Sequence, residues 1–163
     1  MGSSIVLRLL KVTHYYRNKS SKKWYLPFGY DAEDINLNNI SLHIYQGESL
    51  GIIGEPGSSK TLIGRILSGT VKPDKGKVIR TENLFYGDME HRHVTYQTVQ
   101  DFVDSAVQLF PYKVNDHKAE QIIQWAHLGD KAKTSISNLS PTEYAQLLLS
   151  IARSSKNKII ILS

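Results

Sequence analysis

The chain has 163 residues, 20 Lys and Arg against 15 Asp and Glu, a net charge of +5 and no cysteine. That length suits one domain with a buried core, and the composition is that of an ordinary globular chain, not a disordered one. The absence of cysteine excludes disulfides and a thiolate metal centre and fits a cytoplasmic protein; no run of about 20 apolar residues is present to span a bilayer.

Met-Gly-Ser-Ser-Ile-Val lacks a charged segment followed by an apolar one, so secretion is not expected. Part of the positive charge gathers in Arg8, Lys11, Arg17, Lys19, Lys22 and Lys23. Such a cluster suits anionic lipid or nucleic acid, but a solvated surface is its commoner meaning. No basic pattern interleaved with aromatic residues is present, so no nucleic-acid partner is expected.

Val6 to Thr13 is rich enough in β-formers for a strand that ends at His14-Tyr15-Tyr16. Arg17 to Asn39 is polar and aromatic, punctuated by Pro27-Phe28-Gly29, and is expected as a long loop or insertion. Its Trp24, Tyr25 and Phe28 would cover a sheet face or touch a membrane partner. Ile40, Leu42 and Ile44 alternate with polar residues and predict a half-buried strand.

Between Ser49 and Leu67 lies the most informative stretch. A short apolar run, Leu50 to Ile53, is expected as a strand and stops at Gly54. A loop of small residues follows, then Lys60-Thr61, then Leu62, Ile63, Ile66 and Leu67 at helical spacing. Strand, small-residue loop and helix in that order are what a nucleoside triphosphate site needs. Small residues let successive amides point inward around phosphate oxygens, and the helix start adds its dipole. Lys60 would reach the β- and γ-phosphates, and the Thr61 hydroxyl would ligate Mg²⁺. The competing meaning is a glycine-rich turn with no ligand. Ser59 stands where the usual pattern G-x-x-x-x-G-K-[ST] has glycine. A side chain there crowds the phosphates, so weakened binding is expected.

The helix should end near Ser68-Gly69, and Pro73-Asp74-Lys75-Gly76 should turn into a strand over Lys77 to Phe85. His91 and His93 share one strand face, but without a third ligand they are expected as surface histidines. Val99, Phe102, Val103, Ala106, Val107 and Phe110 predict a helix, followed by a second over Asp116 to His127 that stops at Gly129. Ser140-Pro141-Thr142-Glu143 has the residue types of a capping box and opens a third helix. Lys158 to Leu162 then predicts a short strand of a parallel sheet.

In this order the features resemble the nucleotide-binding domain of an ABC transporter, over almost the whole chain. The resemblance rests on Tyr16, on Gly54 to Thr61, on Thr98-Val99-Gln100-Asp101-Phe102, on Leu139-Ser140-Pro141-Thr142-Glu143 in the place of the LSGGQ signature, and on Ile159 to Leu162 as the Walker B strand. The long stretch between Tyr16 and Ile40, with an aspartate-bearing turn at Gly129-Asp130, is most similar to the teichoic-acid and polysaccharide export branch.

The resemblance implies an α/β P-loop NTPase fold, ABC ATPase-like, with an antiparallel β subdomain and an inserted helical subdomain at about 96–140. Residues 1–163 would form one incomplete domain with its C-terminal strands missing. It implies ATP and Mg²⁺ as cofactors. Tyr16 would stack on adenine, with Tyr30 as the alternative. Gly54, Glu55, Pro56, Gly57, Ser58, Ser59, Lys60, Thr61 and Leu62 would hold the phosphates, and Thr61 the metal. Ser140 would act across a homodimer of such domains. A transmembrane permease subunit is the implied partner, the cytoplasmic face of the membrane the implied location, and a teichoic acid or related polysaccharide the implied cargo.

Several departures bear on turnover. Pro141 has no amide to offer and Thr142 carries a Cβ where the signature has glycines, so cap and degraded signature stay open as alternatives. Ser163 stands where a Mg²⁺-organising aspartate is due, and the catalytic glutamate and switch histidine would follow it. Neither Gln97 nor Gln100 sits clearly at the glutamine of the family's Q-loop. No catalytic residue is assigned, and this chain is expected to hydrolyse ATP poorly or not at all. The alternative is a catalytically inactive module that binds nucleotide or a partner. A small P-loop kinase or GTPase would need a lid or an Asn/Lys-x-Asp element, and neither is found.

Overall fold

The computed structural model describes residues 4–16, 34–90 and 97–163, with the side chains of Tyr16, Asp34 and Ile35 outside that description. The chain forms two compact units, Met1–Glu82 and Asn83–Ser163.

In the first unit, strand β1 (Ile5–Tyr16) lies between β2 (Asp34–Tyr45) and β3 (Lys75–Arg80), antiparallel to both. Leu7 and Leu9 turn inward two residues apart, as the pleat requires, but the next buried position on β1 is Val12. An extra residue resets the phase there. The register slips between Leu9 and Val12, with Lys11 at φ 50° and Asn39 of β2 at φ 53°. Gly76 of β3 is required opposite: at φ 86°, a Cβ on it would lie 2.5 Å from the carbonyl oxygens of both Leu10 and Lys11. The Thr13 hydroxyl accepts from the Asn39 amide at 3.1 Å and satisfies a donor the bulge releases from the ladder.

Helix α1 (Lys60–Ser68) buries Gly64, Ile66 and Leu67 and ends at Gly69 in the left-handed conformation, φ 85°. Arg80 donates to the Ser68 carbonyl at 2.7 Å, placing a cation at the negative end of the helix.

Two expectations change here, and a third is in part untested. The second strand begins at Asp34, not Ile40, because Leu37 is buried and residues 34–39 pair with the far end of β1. The rest of the expected loop, residues 17–33, lies outside the described residues and takes with it Arg17, Lys19, Lys22, Lys23, Trp24, Tyr25, Phe28 and Tyr30. The apolar run Leu50 to Ile53 is not a strand, and Ile53 is 97% exposed. Hydrophobicity asks for burial but names no ladder partner, and no partner pairs with this run among the described residues.

In the second unit, β4 (Leu84–Gly87) and β5 (Ile159–Leu162) form a parallel pair in continuous register from Leu84↔Ile159 to Gly87↔Leu162. The single strand expected over Lys77 to Phe85 is therefore two, broken at residues 81–83 and divided between the units. Helices α2 (Val99–Gln108), α3 (Lys118–Trp125) and α4 (Pro141–Ser154) enclose one core. Val99, Val103, Ile122, Ile136 and Leu147 are fully buried in it, and the Phe102 ring meets Tyr144 tilted at 54°, centroids 6.2 Å apart. Short 3₁₀ turns at Gly129–Lys131 and Ile136–Asn138 connect α3 to α4. His91 and His93 lie outside the described residues.

Candidate functional site

The loop between Gly54 and α1 is shaped by its small residues. The Ser58 amide donates to the Glu55 carbonyl at 3.1 Å, closing a turn over Pro56 and Gly57, with Gly57 at φ 82°. Gly54 lies close under Ser58: a Cβ on it would meet the Ser58 hydroxyl oxygen at 2.6 Å, so that hydroxyl would have to turn away. Ser59 follows at φ 59° and ψ 21° as the residue that opens α1, with no hydrogen bond from its side chain to the helix start.

The first backbone bond at the start of α1 runs from the Ile63 amide to the Ser59 carbonyl at 3.1 Å. The amides of Lys60, Thr61 and Leu62 precede it and have no intrahelical acceptor. No acidic side chain stands in this first turn. The positive end of the dipole is thus left open.

The Lys60 ammonium folds back over the loop. Its Nζ donates to the Gly54 carbonyl at 2.8 Å, the Glu55 carbonyl at 2.6 Å and the Ser58 hydroxyl at 3.1 Å, which uses all three of its donors. These acceptors are neutral. A polyanion offers charged oxygens, which add a direct charge–charge attraction to the ammonium's hydrogen bonds. A polyanion at the loop would compete with these neutral oxygens for the Lys60 ammonium.

The structure brings Gly54, Glu55, Pro56, Gly57, Ser58, Ser59, Lys60, Thr61 and Leu62 together as this one loop and helix start. Thr61 and Leu62 are half-buried. Tyr16 closes β1 opposite Asp34, and its ring lies outside the description. Ser140 belongs to the second unit and opens α4 there.

At Ser140 the helix start is closed. The Ser140 hydroxyl accepts from the Glu143 amide at 3.2 Å, and the Glu143 carboxylate accepts from the Ser140 amide at 2.9 Å. Pro141 fills the first helical position, where its missing amide has no intrahelical acceptor to lose. Lys131 adds a bond that the sequence pattern does not show: its ammonium lies 2.5 Å from the other Glu143 oxygen. The pair lies twelve positions apart with a 3₁₀ turn and the start of α4 between them, so no helical or strand period relates them. The bond from Lys131, then those from Ser140, hold the Glu143 carboxyl down at about 2. Hydrogen bonding to Glu143 raises Lys131 in turn. The capping alternative for Leu139 to Glu143 is present in full.

Thr98 likewise caps α2 in a box with Asp101, and the Gln100 side chain donates to the Asp104 carboxylate at 3.1 Å on the same helix. The Gln97 carbonyl accepts from the Ile136 amide at 2.9 Å. Among the described residues no group of three His, Cys, Asp or Glu side chains could hold a metal, and no helix is long and apolar enough to cross a membrane. A divalent cation at the loop would have the Thr61 hydroxyl and the phosphates themselves as ligands, a hard oxygen set that fits Mg²⁺.

The ABC transporter family model matches residues 37–162. An uncharacterised ABC transporter ATP-binding protein, MJ1662 of Methanocaldococcus jannaschii, is 44% identical over 59 residues, 36% of this chain and 10% of that protein. The zinc import ATP-binding protein ZnuC of Wigglesworthia glossinidia brevipalpis is 32% identical over 128 residues, 77% of this chain and 54% of that protein. The chain thus spans about half the length of the second relative and far less of the first. Among solved structures, the dimeric post-hydrolysis state of the ATP-binding cassette MJ0796 bound to ADP and Pi superposes with TM-score 0.74 at 19% identity, covering 96% of this chain and 72% of that one. The fold is that of an ABC ATPase, an α/β P-loop NTPase with an antiparallel sheet and a set of helices.

Proposed function

The chain belongs to the ABC transporter family, and from that premise we propose that the loop from Gly54 to Leu62 binds ATP with Mg²⁺ as part of a transporter's ATP-binding subunit. One observation carries the reading: an ammonium and the open start of α1 meet at the same loop, with no carboxylate in the helix's first turn. In the bound state the amides of residues 57–62 hold phosphate oxygens. Lys60 leaves the Gly54 and Glu55 carbonyls for the β- and γ-phosphates, and Thr61 Oγ1 ligates the cation. Mg²⁺, when bound, neutralises charge between the phosphates.

Tyr16 stacks on the base, and Ser140 faces the nucleotide of a second copy in a head-to-tail homodimer. The protein works at the cytoplasmic face of a membrane beside a permease. Support for the dimer comes from the dimeric state of the solved neighbour; the roles of Tyr16 and Ser140 rest on their places in the family pattern.

Cargo and direction have separate supports. Export of teichoic acid or a related polysaccharide is supported by the length of the segment between Tyr16 and Asp34, shorter than the stretch to Ile40 on which the resemblance rests. Uptake is supported by the zinc-import name of the Wigglesworthia relative. The second functional reading, a binding module without turnover, is favoured by Ser59, Pro141 and Thr142 at positions where the family pattern has glycine.

Titration of Mg-ATP against the chain and against Lys60→Ala tests the site. Loss of the Lys60 ammonium from the phosphates predicts affinity lower by about 100-fold; equal affinities for the two proteins would remove the nucleotide claim. Steady-state hydrolysis with and without a permease then separates the two readings. A rate no higher than that of ATP in buffer, in both cases, leaves the binding module.

A further inference from the structure

Ser59 stands at φ 59° and ψ 21°. In that left-handed region a Cβ presses on the following carbonyl, and glycine alone enters it freely. A serine that opens a helix ordinarily sits extended and turns its hydroxyl onto a first-turn amide. Ser59 does neither. Its neighbour Gly57 takes φ 82° at no steric cost, so within one short loop two residues share a conformation and only one suits it.

What holds Ser59 there is visible in the loop. The Ser58 amide is tied to the Glu55 carbonyl, and Lys60 is tied to Gly54, Glu55 and Ser58. The residues on both sides of Ser59 are thus anchored to the front of the loop. These are the ties that an arriving phosphate chain breaks when it draws Lys60 off its carbonyls.

We propose that Ser59 is a positioning residue that sets a low affinity of this loop for phosphate chains through its backbone. A fraction of the unliganded molecules relaxes residue 59 out of the left-handed region, turning the amides of Ser59 and Lys60 off the phosphate axis. Only the remaining fraction receives ligand, and apparent affinity falls by that fraction. The inference rests on the nucleotide reading above and goes beyond it by assigning the loss to conformation and not to a side chain crowding the phosphates.

Left-handed backbone at a non-glycine residue biases a two-state equilibrium by roughly 5- to 30-fold. The Lys60 ties offset part of this, so glycine at position 59 is expected to tighten binding by about fivefold.

The test is calorimetric titration of Mg-ATP and of inorganic triphosphate against the chain, Ser59→Gly, Ser59→Asn, Ser59→Ala and Lys60→Ala. Ser59→Gly should tighten both ligands by the same factor. Ser59→Asn should also tighten them, because asparagine tolerates the left-handed region in spite of its larger side chain, and Ser59→Ala should give no gain. Asparagine binding more weakly than serine, with glycine tighter, would assign the effect to crowding and overturn the proposal. No gain with glycine while Lys60→Ala abolishes binding overturns it and leaves the nucleotide reading intact. No effect of Lys60→Ala overturns the reading, and the proposal with it. NMR relaxation dispersion on the unliganded proteins adds a measurement independent of affinity. Exchange at the Lys60 amide should be present with Ser59 and quenched in Ser59→Gly; a rigid Lys60 amide in the parent chain would also overturn the inference.

Discussion

Helices α1 and α4 both open on a serine, and the two openings differ in kind. At α4, Ser140 and Glu143 satisfy one another's amides and Lys131 braces the carboxylate from outside. At α1, Ser59 is left-handed, caps nothing, and is followed by a lysine that reaches back over the loop. The first helical position is Pro141 in one and Lys60 in the other; the third is Glu143 in one and Leu62 in the other. A carboxylate at the third position spends the helix's positive end on the protein itself. An apolar residue there leaves the positive end without a carboxylate from its own first turn, beside the Lys60 ammonium.

The contrast can be broken at its foundation by emptying the core that holds the closed helix. Ile122 is fully buried against this helix set, and Ile122→Ala should lower stability by about 3 kcal/mol, read by denaturant unfolding with Trp125 fluorescence. Converting the open start into the closed kind is the next test. Leu62→Glu puts a carboxylate at the third position of α1, where it competes with phosphate. Mg-ATP affinity should fall by about tenfold, within the range of helix-terminus charge effects.

Removing the serines one at a time sharpens the difference further. Ser140→Ala loses a working cap and should lower stability by about 1 kcal/mol, whereas Ser59→Ala has no cap bond to lose and should stay within about 0.5 kcal/mol of the parent chain. Equal losses at both sites would remove the distinction.

The smallest effect is a pH dependence confined to the closed start. The Glu143 carboxyl is held at about 2 in the folded chain against an ordinary 4.5. A depressed carboxylate binds fewer protons folded than unfolded, so its contribution is complete above about 4.5 and fades as pH falls from there to about 2. Lys131, raised above 10.5, has the opposite sign: its contribution is complete below that value and fades as pH rises past it. Thermal unfolding from pH 7 to pH 2 should show an acid-side slope that Glu143→Gln reduces.

Much of the candidate site was legible because its features are local. Gly54, Lys60 and Thr61 lie within eight residues, and a loop that short has few shapes open to it. The capping box at Ser140 was legible for the same reason. What escaped were relations between distant segments. Lys131 meets Glu143 across turns that carry no periodic signal, and the β1 bulge that demands Gly76 shows in the sequence only as poor alternation between Val6 and Thr13. Lys77 to Phe85 reads as one strand because its composition is continuous, while its two halves answer to different partners.

The amino-acid order by itself determined the starts of α1 and α4, the small-residue loop before α1 and the family, since capping, glycine placement and helical period act over a few residues. Tertiary structure alone decided that Ser59 is left-handed, that Leu50 to Ile53 is no strand among the described elements, and that one carboxylate serves both Ser140 and Lys131. The physical reason is that backbone torsions and ladder partners are settled by contacts between segments far apart along the chain, where residue type states a preference but not with whom it is met.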